Sequence, residues 1–161
     1  MSWIQNKDSI ASLKYSKFNG INWTAPTEII SGLWIGNIDD SYDMEFYKDN
    51  KITIMINCTN DIPCLDIPET KKIKIPLSVY LDPSKDIPLL KNNMKRILEY
   101  IHQHKETDNI FIYGHTNYSI PSLIIGAYMI TYGKISIHLI MDILHSKNKD
   151  IVLDMNFKDY L

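Results

Sequence analysis

Arginine is almost absent from this chain. Of its 161 residues, 17 are basic and 19 acidic, the net charge is -2, and Arg96 is the single arginine. Basic residues nowhere form a block of five or more, so the footprint of a nucleic-acid binder is missing and no nucleic-acid partner is expected. Cysteine is scarce too. Cys58 and Cys64 lie close together in a chain without secretory features, which favours free thiols over a disulfide. Apolar runs all stop far short of the ~20 residues that span a bilayer. The N-terminal MSWIQNKDSIASLKYSKF lacks the continuous apolar core of a signal peptide. These absences predict an intracellular, cytoplasmic protein with no membrane partner. Internal repeats and low-complexity segments are absent as well.

What remains is a chain with 45% hydrophobic residues, long enough for one well-buried core and short for two domains. Residues 1–26 read as an arm with Trp3, Ile4, Ile10 and Leu13 at roughly helical spacing. The pattern tightens over 27–161, the expected folded domain. The arm carries more apolar residues than a free tail requires, and packing on its own domain or a homodimer through the arm would use them. EIISGLWIGN predicts two short strands broken by Gly32 and ended by Gly36, and SYDMEFYKDN a helix capped by Ser41. KITIMINCT is apolar almost throughout, as a central strand buried on both faces must be. KKIKIPL reads as a strand stopped by Pro76. A long helix follows, roughly Ile87 to His104, with Leu89, Leu90, Met94, Ile97, Leu98 and Ile101 on one face. NIFIY is a further buried strand. PSLIIGAYMITYG predicts a helix ending at Gly133, ISIHLIMDILHSK one starting near Ser136, and NFKDYL a last helical turn. Strands alternating with helices predict an α/β fold with a central, mostly parallel sheet flanked by helices.

The stretch IFIYGHTNYSIPSLIIGAYMI, residues 110–130, runs from apolar strand through polar turn to apolar helix. That layout suits a cradle in which backbone amides at a helix N-terminus hold phosphate. Taken together, EIISGLWIGN, ITIMINCT, the IPL strand with its Asp-containing loop, the strand–turn–helix, AYMITYGKISIHLIMDIL and FKDYL resemble, in order and spacing from Thr27 onward, the dual-specificity phosphatases of the protein tyrosine phosphatase superfamily.

In that family the turn reads His-Cys, two residues, Gly, two residues, Arg, then Ser or Thr. The resemblance implies that the Cys thiolate attacks phosphorus, the Arg fork holds the phosphoryl oxygens, the Gly permits the tight backbone and the hydroxyl stabilises the thiolate. Laid on this sequence without a gap, these roles fall on Tyr113 (His), Gly114 (Cys), Asn117 (Gly), Ile120 (Arg) and Pro121 (hydroxyl), with His115, Thr116, Tyr118 and Ser119 between them. Gly114 has no side chain to form a phospho-enzyme, and Ile120 has no donors where the family has five. Arg96, in the preceding helix, lies in the wrong motif context to replace it. Asn117 tolerates a left-handed backbone, and Pro121 suits a first helical turn. The pattern is similar to the catalytically dead, STYX-type pseudophosphatase branch, which also has Gly at the nucleophile position but keeps the Arg. The expectation is an inactive phosphatase fold acting as a protein-interaction or scaffold module, a competitor of an active phosphatase, or a regulator of a signalling or viral process. Its protein partner is unknown. The alternative is a divergent enzyme on a phosphorylated small molecule or RNA end, using residues outside the motif.

The remaining candidates have plainer readings beside the functional ones. Asp82 lies where the general-acid loop would be, a vestigial position read as an ordinary loop residue, with Asp86 helping to start the next helix. His115 could serve as a substitute nucleophile or base, but the sequence identifies no partner carboxylate, and a turn histidine is ordinarily solvated. Tyr113, Tyr118 and His115 either pack ordinarily or form a binding surface. His102 and His104 read as charge and carbonyl capping at a helix end, not metal ligands. Cys58 reads as a buried strand thiol and Cys64 as a loop thiol. No metal and no cofactor are implied.

Overall fold

A computed structural model of the protein describes residues 25–115, 118–153 and 155–161. The arm expected over 1–26 lies, apart from Ala25 and Pro26, outside the described residues, as does the homodimer expected through it. Five strands form one sheet, β1 (Thr27–Ile30), β2 (Leu33–Gly36), β3 (Ile52–Asn57), β4 (Lys71–Lys74) and β5 (Asn109–Tyr113), in the order β1-β2-β5-β3-β4. β1 and β2 are antiparallel, and β2, β5, β3 and β4 pair in parallel. The turn between β1 and β2 needs Gly32, whose φ of +83° is in the left-handed region that costs glycine little.

Side chains alternate across the sheet, and the two faces carry different cores. Ile110 and Ile112 of β5, with Ile54, Ile56, Leu33 and Ile35, face the larger core. Over it pack α3 (Asp86–His104), α4 (Ser119–Thr131), α5 (Ile137–Lys147) and a 3-10 turn, Phe157–Asp159. Phe111 and Tyr113 face the other way, into a small aromatic core closed by Phe46 and Tyr47. There Phe46 meets Phe111 edge to face, with centroids 4.9 Å apart. The continuous apolar patterns of β3 and β5 reflect burial on both sides. Along α3 the stripe Leu90, Met94, Leu98, Ile101 is buried, and Leu89 and Ile97 flank it half-buried.

The expected single helix capped by Ser41 is instead two short ones, α1 (Ile38–Ser41) and α2 (Met44–Asp49). Asn37 and Asp40 form a capping box: Asn37 Oδ1 accepts from the Asp40 amide at 3.1 Å, and Asp40 Oδ2 accepts from the Asn37 amide at 3.0 Å. Asp43 then captures the Phe46 amide at 3.2 Å and caps a second helix where the first would have continued. Ser41 is the last residue of α1, and its hydroxyl donates to the Ile38 carbonyl. α4 ends at Thr131, before Gly133, and the left-handed residue after it is Lys134, φ 55°. α5 begins as expected beyond Ser136, which caps it. β4 ends at Lys74, before Pro76.

Where α4 crosses the C-terminal turn, a Cβ on Gly126 would lie 2.4 Å from the Phe157 ring and 3.1 Å from Ile140 Cγ2. Gly126→Ala is therefore expected to destabilise the fold by about 1–2 kcal/mol, overpacking outweighing the roughly 1 kcal/mol that alanine contributes inside a helix. In a Phe157→Ala background only the 3.1 Å contact with Ile140 remains, and the same substitution is expected to cost clearly less. Urea-unfolding midpoints of the four chains test this coupling, and equal effects in both backgrounds would show that Phe157 does not set the packing of α4.

Candidate functional site

Parallel strands end together, so the loops after β2, β3 and β5 converge at one edge of the sheet, where open α/β sheets place ligands. Backbone hydrogen bonds lash these loops together. The Cys58 amide donates to Tyr113 O at 2.9 Å, the Gly114 amide to Gly36 O at 3.4 Å, and the Ile38 amide to His115 O at 3.1 Å. Tyr118 precedes α4 and is buried, Ser119 and Ile120 open the helix, and Pro121 sits in its first turn, where a missing N–H costs nothing. Thr116 and Asn117 lie outside the described residues, and with them the expected left-handed Asn117.

The turn and the start of α4 border a cavity of about 310 Å³. Gly114, His115, Ser119 and Ile120 form one side, Cys58 is at the end of β3, and the segment from Leu77 to Leu81 with Met155 closes the rest. Among the described residues its lining includes no lysine, arginine or carboxylate. Burial pushes the Cys58 thiol well above its ordinary value, so at neutral pH it is a protonated, apolar wall. Tyr80 and Val79 stand exposed on the rim. Arg96 is elsewhere, on α3 beside a second cavity of about 430 Å³ between that helix and β4.

Tyr113 faces away from the cavity into the aromatic core, fully buried. Burial first, then Tyr47 and Cys64, raises its phenol well above its ordinary value. Tyr113 and Tyr118 therefore pack ordinarily and offer no exposed binding surface. Asp82 Oδ1 accepts from the Ser84 amide at 2.9 Å and hydroxyl at 2.8 Å, and these bonds hold its carboxyl below the usual value. A carboxylate kept ionised by its own turn is the reverse of a general acid tuned to hold its proton. Asp86 opens α3, as expected: its carboxylate accepts from the Asp82 amide at 2.8 Å, and its own amide donates to Asp82 O at 2.8 Å.

His115 departs from the sequence expectation. It is not a solvated turn residue: its side chain is 10% exposed, and Nε2 lies 2.8 Å from Asp61 Oδ1. Asp61 sits in the loop after β3, shaped by a buried network in which Thr59 donates to Asn57 Oδ1 at 2.6 Å and Asn57 Nδ2 to Ile62 O at 2.7 Å. The pair closes one loop over the other. No local pattern in the sequence links residues 54 positions apart. The available signal is topological, since adjacent parallel strands bring the segments after them side by side.

The histidines of the His-x-His pair diverge. His102 Nδ1 meets the Tyr128 hydroxyl at 3.0 Å and its ring stacks on Tyr132 at 4.0 Å, whereas His104 lies over Tyr100 at 4.2 Å and 3.5 Å from Asp108. Both act as aromatic packing groups more than as carbonyl caps. Among the described residues no group of three or more metal-ligating side chains converges, and no helix is long and apolar enough to cross a membrane. Cys58 and Cys64 are free thiols, one buried and one half-buried.

The hydrogen bond from His115 is the main cause that holds the Asp61 carboxyl below its ordinary value. A depressed native value means that the contribution of the pair to stability is present above the ordinary carboxylate range and disappears as pH falls through the lowered midpoint. Carbon-detected titration of Asp61 should give that lowered midpoint, and His115→Ala should raise it towards the value in unfolded peptides. An unchanged midpoint in the variant would show that His115 does not hold the loop in solution.

No family model and no curated protein sequence matches the chain. Solved structures do match it in shape. Human DUSP28 superposes with a TM-score of 0.71 at 15% identity, covering 84% of this chain and 88% of its own. The Cydia pomonella PTP-2 phosphatase gives 0.70 at 17% identity, covering 85% and 88%. The human tyrosine phosphatase-like serine/threonine/tyrosine-interacting protein gives 0.60 at 13% identity, covering 83% and 90%. A mostly parallel five-stranded sheet with the turn before α4 at its C-terminal edge, matched over most of the length of such proteins, means that this chain has the dual-specificity phosphatase fold.

Proposed function

We propose that the protein is a catalytically inactive member of this fold, a pseudophosphatase that works in the cytoplasm as a protein-interaction or scaffold module and does not depend on phosphate. The observation that carries this reading is the lining of the 310 Å³ cavity, in which Ile120, Leu81, Cys58 and Met155 stand around the turn and no described lysine or arginine stands where a phosphoryl group would need a counter-charge. A phosphoryl group bears charge on all of its oxygens, and its transfer needs both a nucleophile in line and donors that stabilise the charge. Gly114 offers no nucleophile. Cys58, the nearest thiol, is held protonated by burial. The amides at the start of α4, without a guanidinium fork, compete with water for an anion on poor terms.

A second reading has one observation in its favour. The imidazole of His115 is oriented by a carboxylate at the mouth of the cavity, an arrangement that activates histidine in other enzymes. A divergent phosphatase would have to work through it, and would still lack a group to stabilise the charge on phosphorus.

The purified protein is expected to release no phosphate from p-nitrophenyl phosphate or a phosphotyrosine peptide above a buffer blank. Turnover that survives further purification and vanishes in His115→Ala would replace the first reading with the second. Gly114→Cys is expected to stay inactive, because an unassisted thiol near pKa ~8.5 is mostly protonated at neutral pH. Adding Ile120→Arg should restore a trace at most.

Vanadate tests anion capture separately. Millimolar vanadate should leave the thermal unfolding midpoint unchanged. A clear upward shift, lost when Ser119 is changed, would mean that the cradle still captures anions and that phosphorylated partners are its ligands.

A further inference from the structure

The sheet has two edges, and the structure treats them differently. At the β1 edge the end of α5 comes alongside, with Asn148 Nδ2 donating to Thr27 Oγ1 at 3.2 Å. At the other edge β4 pairs only with β3, and no described strand lies on its outer side. Its sequence, Lys71-Lys72-Ile73-Lys74, is three exposed lysines and one half-buried isoleucine. Beside it runs the cavity of about 430 Å³ between β4 and α3, floored by Ile73, Leu89, Ile97 and Tyr100 and rimmed by Lys74, Arg96 and Glu99. A cavity of this size has room for a large apolar side chain. Arg96, the only arginine of the chain, is exposed there and makes no hydrogen bond or ion pair with any described residue. Lys72 is held by Asp66 at 2.9 Å and Lys74 donates to Ile62 O at 3.3 Å, while the Lys71 ammonium makes no direct hydrogen bond with a described residue but lies near enough to the Asp108 carboxylate to help keep it ionised.

We propose that the β4 edge and this groove form a docking site for an extended acidic segment of a partner protein, which adds to the sheet as a sixth strand and lays one large apolar side chain into the groove. An edge strand offers a row of unpaired backbone donors and acceptors, which supply the affinity of strand addition, while side-chain pockets supply its selectivity. Charge decides between occupants. A second copy pairing β4 to β4 in antiparallel fashion would set lysines of one strand across from lysines of the other, and like charges across a strand pair are destabilising. Arg96, which no described carboxylate engages, attracts a strand carrying Asp or Glu. The lysines are partly balanced, Lys72 by Asp66, Lys71 by Asp108 and Lys74 by Asp61, so the cation left for a partner's carboxylate is Arg96, with Glu99 the one acidic residue lining the groove.

The inference rests on the interaction-module reading for the kind of occupant, and the two fail separately. Phosphate release would remove that reading and leave binding at the groove measurable. A groove that selects nothing would leave inactivity at the cradle untouched. The probe is a phage-displayed library of random dodecamer peptides, selected against the full chain. Enriched peptides are expected to carry a large apolar residue with Asp or Glu two positions away, on the same face of the added strand. Synthetic versions should bind at least tenfold more weakly to Arg96→Glu and to Lys71→Glu, lose affinity as salt rises, and bind His115→Ala unchanged. Both charge reversals are at exposed positions, and their unfolding midpoints confirm that they fold. Bound peptide should also slow hydrogen exchange at the amides of β4. No enriched sequence, equal binding to the charge-reversed chains, binding lost in His115→Ala, or light scattering that shows a dimer broken by Lys71→Glu would each overturn the proposal.

Discussion

Three backbone hydrogen bonds, from Cys58 to Tyr113, Gly114 to Gly36 and Ile38 to His115, carry the parallel ladder of β2, β5 and β3 beyond its last strand residues. Everything at the candidate site hangs from them. They fix where the turn before α4 leaves the sheet, bring the loop after β3 against it so that Asp61 can reach His115, and set α1 beneath both. None involves a side chain. The cradle is thus shaped by main-chain pairing that any sequence with the right strand lengths can form, and the residues that fill it are free to change without unfolding it.

That separation explains how a chain at 15% identity to a phosphatase structure keeps its outline at a TM-score of 0.71. The sheet needs buried β-branched and aromatic residues in a period of two, and any of several will do. A phosphate site needs particular atoms at particular points, and one substitution removes a function outright. Ile120 at the start of α4 satisfies the first demand: it is half-buried against the larger core and borders the cavity. An apolar residue there gains from burial what a guanidinium, lacking a bound anion, would lose by desolvation.

The readable parts of this sequence are those governed by local periodicity. ITIMIN and NIFIY announce buried strands because each is a short apolar run between polar turns, and the stripe from Leu90 to Ile101 announces α3. The two short helices after β2 were readable only in part. Asn37 and Asp40 stand at capping-box spacing, and Asp43 three residues before Phe46 is a further N-cap, so two short helices form where periodicity alone suggests one. His115 was the least readable residue. Its partner is distant in sequence, and its burial follows from a loop whose shape is set by Asn57 and Thr59. Tyr113 was readable in principle, since strand alternation places it on the face of Phe111, away from the turn that follows.

Charge has the opposite distribution from that of a working phosphate site. Among the described residues the cavity at the turn is lined without a lysine or arginine, and the single guanidinium of the chain stands at the far edge of the sheet, near the lysine-rich strand β4. A basic edge strand needs no ligand to be useful, because lysines on an unpaired strand keep identical molecules from joining through it. The isolated guanidinium is not explained by that role, since one strand of lysines already repels its own copy. Arg96 adds a planar donor fork beside an apolar groove, a combination suited to a carboxylate flanked by an apolar side chain. If the proposed docking holds, the recognition chemistry of this chain lies at the β4 edge, directed at carboxylates on an extended chain.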